Sequence, residues 1–220
     1  MLGAGPENLP ASKRMGNQIT GTVWALGKRP PATRLPVFKN ADYCGTSLPD
    51  RSLILDPEGR LKAAAVILEP VYQQFPVTPV QVVLDNYRCA FRPRVQIVPA
   101  GSSVILKNSD PILHAVHARL SGETLFNVGL PTWRQVTQVL KKPGVVAIDC
   151  DVLHTWMRAS VLVTLSPYFA ITNERGYFHI GNVPAGVYDL VVWHEVLGRK
   201  TRRIKISTAD ALFFSTIYSL

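Results

Sequence analysis

Apolar residues along the chain fall into short runs, many alternating with polar residues, and Gly, Pro and Asn punctuate them. QITGTVWALGKRPP near the start reads as a strand closed by a Gly/Pro turn. LKAAAVILEPV (61–71) and VQVVLDN (80–86) read as further strands, the first of them buried. From Arg94 the strand pattern returns in VQIVPAGSSVILKNSD; a loop is expected next, then the strands GVVAIDCD and ASVLVTLS. After Pro167 a second series follows, YFAITNERGYFHIGNVPAGVYDLVVWHE and RKTRRIKIS, with turn chemistry at Asn173–Gly176 and Pro184–Gly186. Residues 33–60 show little period-2 pattern and carry Pro36, Pro49 and Pro57, so they read as a long irregular connection. LPTWRQVTQVL (130–140) fits either one helical turn or an edge strand. Strands and turns spaced about 8–12 residues apart predict an all-β chain of sandwiches or barrels.

Composition sharpens this picture. Fifteen Gly and 17 Pro among β-rich runs favour many short strands over long helices. A chain of 220 residues accommodates two modest cores. No stretch approaches the roughly 18–20 apolar residues that span a bilayer, so no transmembrane segment is predicted. Residues 1–16 are polar and are expected to be disordered. They hold no apolar h-region, so no secretory signal is legible.

The 24 Lys and Arg against 15 Asp and Glu leave a net charge of +9, which suits an acidic partner. The densest basic cluster, Arg199, Lys200, Arg202, Arg203 and Lys205, reads as a solvated edge strand guarded by charge. No nucleic-acid motif accompanies it, and nucleic acid is not an expected partner.

The chemistry concentrates in Cys150-Asp-Val-Leu-His154-Thr-Trp-Met157, directly after the strand GVVAID. A thiolate, an imidazole and a thioether lie within one short loop there. A second imidazole, His114, follows the upstream turn NSDPIL. Two His, one Cys and a weak axial Met form the ligand set of a mononuclear electron-transfer copper site. A lone buried Cys is ordinarily a small hydrophobe and a lone Met a gap filler. Met1, Met15 and Met157 are the only methionines, and with five His and three Cys in all, the clustering favours ligation.

The stretch Asn108-Ser-Asp-Pro-Ile-Leu-His114-Ala-Val-His117, then Pro143-Gly-Val-Val and Cys150 to Met157, resembles the cupredoxin family. The resemblance implies a Greek-key β-sandwich binding one type 1 copper through His114, Cys150, His154 and Met157. It implies that Asn108 ties the two ligand loops together. It also implies that His154, beside Leu153 and Trp156, reaches the surface as an electron port. His117 is the second choice for the upstream ligand. Relatives with a Trp-Met ending have two residues between Cys and His; here Leu153 makes three, and Thr155 stands in place of Pro.

With Cys150 required as thiolate, Cys44 and Cys89 remain as a candidate disulfide, with two free buried thiols as the alternative. A disulfide points to an exported protein, periplasmic or extracellular, whose leader is not within these residues.

Thr172-Asn-Glu-Arg-Gly176 through Val183-Pro184-Ala-Gly186-Val-Tyr188-Asp-Leu resembles the carboxypeptidase regulatory-like (transthyretin-like) β-sandwich. Gly21-Thr-Val23, Gly27-Lys-Arg-Pro30 and Ala64–Leu68 match the start of such a domain. The implied organisation is a split sandwich, 17–77 and 166–208, with the cupredoxin at 78–165 inserted and 209–220 as a C-terminal tail. A simple tandem is the rival. His179 and His194 have no Cys or Met companions and read as packing residues.

Three function classes follow. The first is a one-electron carrier or relay working with an acidic c-type cytochrome or a respiratory complex. The second is a copper enzyme, which would need further His ligands; no His-x-His pair occurs, and an enzyme is not expected. The third is a structural or assembly protein, or copper-binding accessory subunit, of an exported complex.

Overall fold

A computed structural model describes residues 17–208 and 211–220. The expected disorder of residues 1–16 lies outside the described residues. The chain is all-β apart from one helical turn. It opens with β1 (Asn17–Leu26), β2 (Arg34–Pro36), α1 (Ala41–Cys44), β3 (Ser47–Pro49) and β4 (Ala65–Pro70). Next come β5 (Gln81–Asn86), β6 (Phe91–Arg92), β7 (Val95–Pro99), β8 (Ser102–Asn108) and β9 (His114–Leu120). Then follow β10 (Glu123–Leu130), β11 (Gln135–Leu140), β12 (Gly144–Asp149) and β13 (Arg158–Thr164). The last are β14 (Phe169–Ile171), β15 (Tyr177–Val183), β16 (Gly186–His194), β17 (Gly198–Ile206) and β18 (Ala211–Ser219).

A five-stranded sheet, β10-β9-β12-β13-β7, faces a four-stranded sheet, β11-β8-β5-β6. The strict alternation of β8, SSVILKN, sends Val104 and Leu106 inward to meet Val116, Ile148 and Val161 of the other sheet. β13 with β7 and β5 with β8 pair in parallel; the remaining neighbours in these sheets are antiparallel.

Strands from both ends of the chain form the other layers. A three-stranded sheet, β15-β1-β18, packs on a four-stranded sheet, β14-β4-β16-β17. β1 alternates buried and half-buried residues along its length, and its Ile19 and Val23 join Leu68, Phe178, Leu190 and Ile204 in a separate core. β4 is buried on both faces, which explains its unbroken apolar run AVIL. Ala65 and Ile67 of β4, with Val191 of β16, press against Val95 and Ile97 of β7 and Leu162 of β13, so a third apolar cluster joins the layers.

Residues 130–140 contain β11, an edge strand and not a helical turn. The 33–60 connection holds α1 and the small β2–β3 ladder. Residues 211–219, expected as part of a tail, are a strand in parallel register with β1, from Gln18 opposite Ala211 to Leu26 opposite Ser219. The basic cluster lies on the edge strand β17, with its cations exposed.

Candidate metal centre

β9 and β12 are antiparallel neighbours with Asp149 opposite His117, and this register brings the start of β9 beside the end of β12. His114 is the first residue of β9, and Cys150 follows the last residue of β12. The loop after Cys150 turns back at once: the Met157 N–H donates to the His154 carbonyl at 2.9 Å, and β13 starts at Arg158. Cys150, His114 and His154 are buried, and their ligand atoms lie within 4.8 Å of one another. Cys150 Sγ is 3.8 Å from His114 Nδ1 and 3.6 Å from His154 Nδ1, and the two Nδ1 atoms are 3.1 Å apart. Met157 is buried in the same core.

Both rings are held from behind. His114 Nε2 meets Asp110 Oδ2 at 3.0 Å, and the Asp110 carboxylate also accepts from the Cys89 N–H (2.9 Å), the Arg88 N–H (2.6 Å) and the Tyr43 hydroxyl (2.9 Å). Burial alone would raise the Asp110 pKa, but these donors outweigh it and hold the group ionised. His154 Nε2 meets Asn40 Oδ1 at 3.0 Å. A carboxylate and an amide oxygen only accept, so each Nε2 carries a proton and each Nδ1 is left facing Cys150, free to donate to the sulfur or to bind a cation.

At Cys150 burial opposes ionisation, yet contacts from His114, His154 and the Ala115 and Val152 N–H groups bring the thiol down to about 6. The Ala115 N–H lies 3.4 Å from Sγ. Two Nδ1 atoms and a sulfur thus converge in a buried space, an arrangement that a cation stabilises. First-row metal bonds of about 2.0–2.3 Å in a trigonal plane give donor–donor edges of about 3.5–3.7 Å, close to the triangle seen here. With no metal the same field draws a proton: burial lowers the His114 pKa, but Asp110 and Cys150 outweigh it and raise the value.

Several sequence expectations change. His154 does not reach the surface: it is 0% exposed, because the Asn40 amide covers its outer edge. Trp156 is only 6% exposed, and its indole N–H donates to the Cys89 carbonyl at 3.0 Å. Leu153, the additional loop residue, is 65% exposed and adopts φ 66, so it bulges outward and leaves the ligands inside. Asn108 donates to the carbonyls of Ile112 and Leu130, at 2.8 Å each, and accepts from the Asp110 N–H at 3.0 Å. It therefore ties its own loop to the end of β10 and not to the Cys150 loop. His117 turns away from the cluster toward Asp151 (2.6 Å) and Thr124 (2.7 Å). His194 is buried and accepts from the Val196 N–H at 3.3 Å, while His179 pairs with Gln18 at 2.6 Å.

Cys44 and Cys89 form a disulfide with Cα atoms 5.8 Å apart. It bridges α1 to the turn whose N–H groups bind Asp110, so Asn40 and Asp110 belong to one cross-linked unit around the two His rings. Sequence reasoning missed Asn40, Tyr43 and Asp110. Asp110 stood in view within NSDPIL; Asn40 lies 114 residues from His154 with no local signal.

No protein-family model and no curated protein matches the chain. Among solved structures it is similar to a Cu-containing nitrite reductase from Thermus scotoductus SA-01, at 20% identity over 44% of this chain and 25% of that one, TM-score 0.36. The chain thus spans a quarter of that enzyme's length. It is also similar to a purple cupredoxin from Nitrosopumilus maritimus, at 24% identity over 39% of this chain and 99% of that one, TM-score 0.34. A reduced amicyanin variant matches at 18% identity over 45% of this chain and 98% of that one, TM-score 0.35.

Proposed function

We propose that the chain is a mononuclear type 1 copper protein acting as a one-electron carrier or relay. His114, Cys150 and His154 are its equatorial ligands, and Met157 is the weak axial one. The observation that carries this reading is the convergence of Cys150 Sγ with two Nδ1 atoms whose rings are fixed from behind. Bound there, copper supplies a Cu(II)/Cu(I) couple. The chain's own part is to keep the ligands still. Asp110 and Asn40 fix the imidazole tautomers, and the Ala115 N–H steadies the sulfur, so the site favours one arrangement in both oxidation states.

The proposal extends to organisation and setting. Residues 78–165 form the cupredoxin, inserted into a carboxypeptidase regulatory-like sandwich built from 17–77 and 166–208. The Cys44–Cys89 disulfide supports an exported, periplasmic or extracellular location. The net charge of +9 favours an acidic redox partner such as a c-type cytochrome or a respiratory complex. The protein is read as a carrier and not as an enzyme.

Adding Cu(II) to the metal-free protein tests the site. An intense visible thiolate-to-copper band, absent in Cys150→Ser and reversible through one electron, is expected; a colourless protein overturns the reading. A second reading has its own support. The buried His154 edge favours a copper-binding accessory or structural subunit, and very slow electron exchange with cytochromes by a coloured protein would select it.

A further inference from the structure

A second feature stands apart from the ligand triangle. A pocket of about 720 Å³ opens where the 88–97 turn and Trp156–Arg158 meet the 35–54 connection and residues of the other sandwich. Its cationic lining is Arg51, Lys62, Arg88, Arg92, Arg94 and Arg158, and among the described residues no acidic side chain lines it. Some of this charge is neutralised from outside. Arg94 makes a two-pronged pair with Glu195 at 2.5 and 2.8 Å, Lys62 pairs with Glu174, and Arg158 lies 3.8 Å from Asp149.

Arg51, Arg88 and Arg92 have no carboxylate within ion-pair distance among the described residues. Two of these guanidiniums lie against the Tyr87 ring. Arg88 adopts φ 52, its N–H is anchored on Asp110, and its side chain lies 5.3 Å from the Tyr87 ring centre. Arg92 lies 5.5 Å from the same ring and donates to the Tyr87 carbonyl at 3.2 Å. The disulfide at Cys89 pins the turn between them.

Arg51, Arg88 and Arg92 are exposed residues bordering this cleft, and uncompensated cations around a cleft raise a positive potential within it. Their planar donor forks match a carboxylate, phosphate or sulfonate head. The remaining wall is apolar, with Leu35, Leu48, Val95, Ile97 and Trp156. An apolar cavity with a few convergent polar groups is the common form of a small-molecule site.

We propose that this pocket binds a small amphiphilic organic anion: an aromatic or alkyl body against the apolar wall, with one oxyanion head held by Arg51, Arg88 and Arg92. Met157, the proposed axial ligand, also lines this pocket, but anion binding needs no metal and is tested on the metal-free chain, so it stands or falls separately from the copper reading.

Calorimetric titration of the full metal-free chain with 2-naphthoate, and with its neutral counterpart 2-naphthamide, tests it. One saturable naphthoate site with Kd below about 100 µM is expected. The amide should bind at least about tenfold more weakly, because it forfeits the charge-assisted bonds. Arg51→Gln/Arg88→Gln/Arg92→Gln should weaken naphthoate binding by about tenfold or more. Arg175→Gln/Arg202→Gln/Lys205→Gln, which removes the same charge from exposed positions elsewhere, should leave binding unchanged. Thermal melts establish that both variants are folded. Absence of saturable binding, equal affinity for the amide, or equal weakening by the two variants would overturn the proposal.

Discussion

At Leu153 a β-unbranched apolar residue sits in the left-handed region at φ 66 with most of its side chain in water. Neither property suits leucine, whereas Asn tolerates this backbone and prefers solvent. Leu153→Asn is expected to raise the stability of the metal-free protein by about 0.5–1 kcal/mol, read from urea melts. Asp110 is the opposite case. Its buried carboxylate is the shared acceptor for Tyr43, Arg88, Cys89 and His114. Asp110→Ala strands those donors and is expected to cost about 3–5 kcal/mol, seen as a shifted denaturation midpoint. That His114, Cys150 and His154 come together was legible because soft and imidazole donors cluster in so few positions. The residues that orient them were not, because hydrogen-bond partners such as Asn40 are chosen by the fold and leave no pattern in the sequence.

Among the elements, β8 and β4 announced themselves through their buried faces, whereas β9 and β10 lie in a stretch read as a loop, because β9 opens on a histidine and β10 is mostly exposed. The alternation of β8 and the continuous run of β4 follow from burial on one side and on both. β11 was left open and β18 was read as a tail for a physical reason: β11 pairs on one side only, β18 joins a partner from the far end of the chain, and most of their residues are exposed. α1 is a single turn whose N-cap residue, Asn40, makes no capping bond and spends its side chain on His154. What anchors this turn is the disulfide, which closes a loop of 45 residues. Cys44→Ala/Cys89→Ala should lower stability by up to about 4 kcal/mol, measured by chemical denaturation. The same variant should expose the outer edge of His154 to carbethoxylation by diethylpyrocarbonate, monitored by peptide mass.

For the molecule as a whole, the junction between sandwiches joins the apolar contacts of β4, β16, β7 and β13 to the Arg94–Glu195 pair. His194 lies beside this pair, 2% exposed. Burial, with the Arg94 charge added, pushes its pKa down from 6.5 to about 4. The folded state therefore binds fewer protons than the unfolded one over that interval, and the stability contribution is complete above pH 6.5. It declines as pH falls toward 4, by about 3 kcal/mol in total. His194→Gln should flatten this part of the stability–pH curve relative to the parent, as followed by thermal melts between pH 4 and 7. No helix among the described residues is long and apolar enough to cross a membrane.

The covered edge of His154 also bears on the order of events during maturation. Asn40 is carried on the segment that the Cys44–Cys89 bond pins, so the bridge helps hold the cover over His154 in place. On the proposed copper reading, metal acquisition precedes oxidative closure, and a late-arriving ion meets a kinetic barrier set by local opening. Removal of copper by an external chelator should accelerate at least about tenfold once the bridge is reduced, as timed by loss of the visible band. Retention would then be a matter of exit rate, with a covalent latch prolonging the residence of the ion.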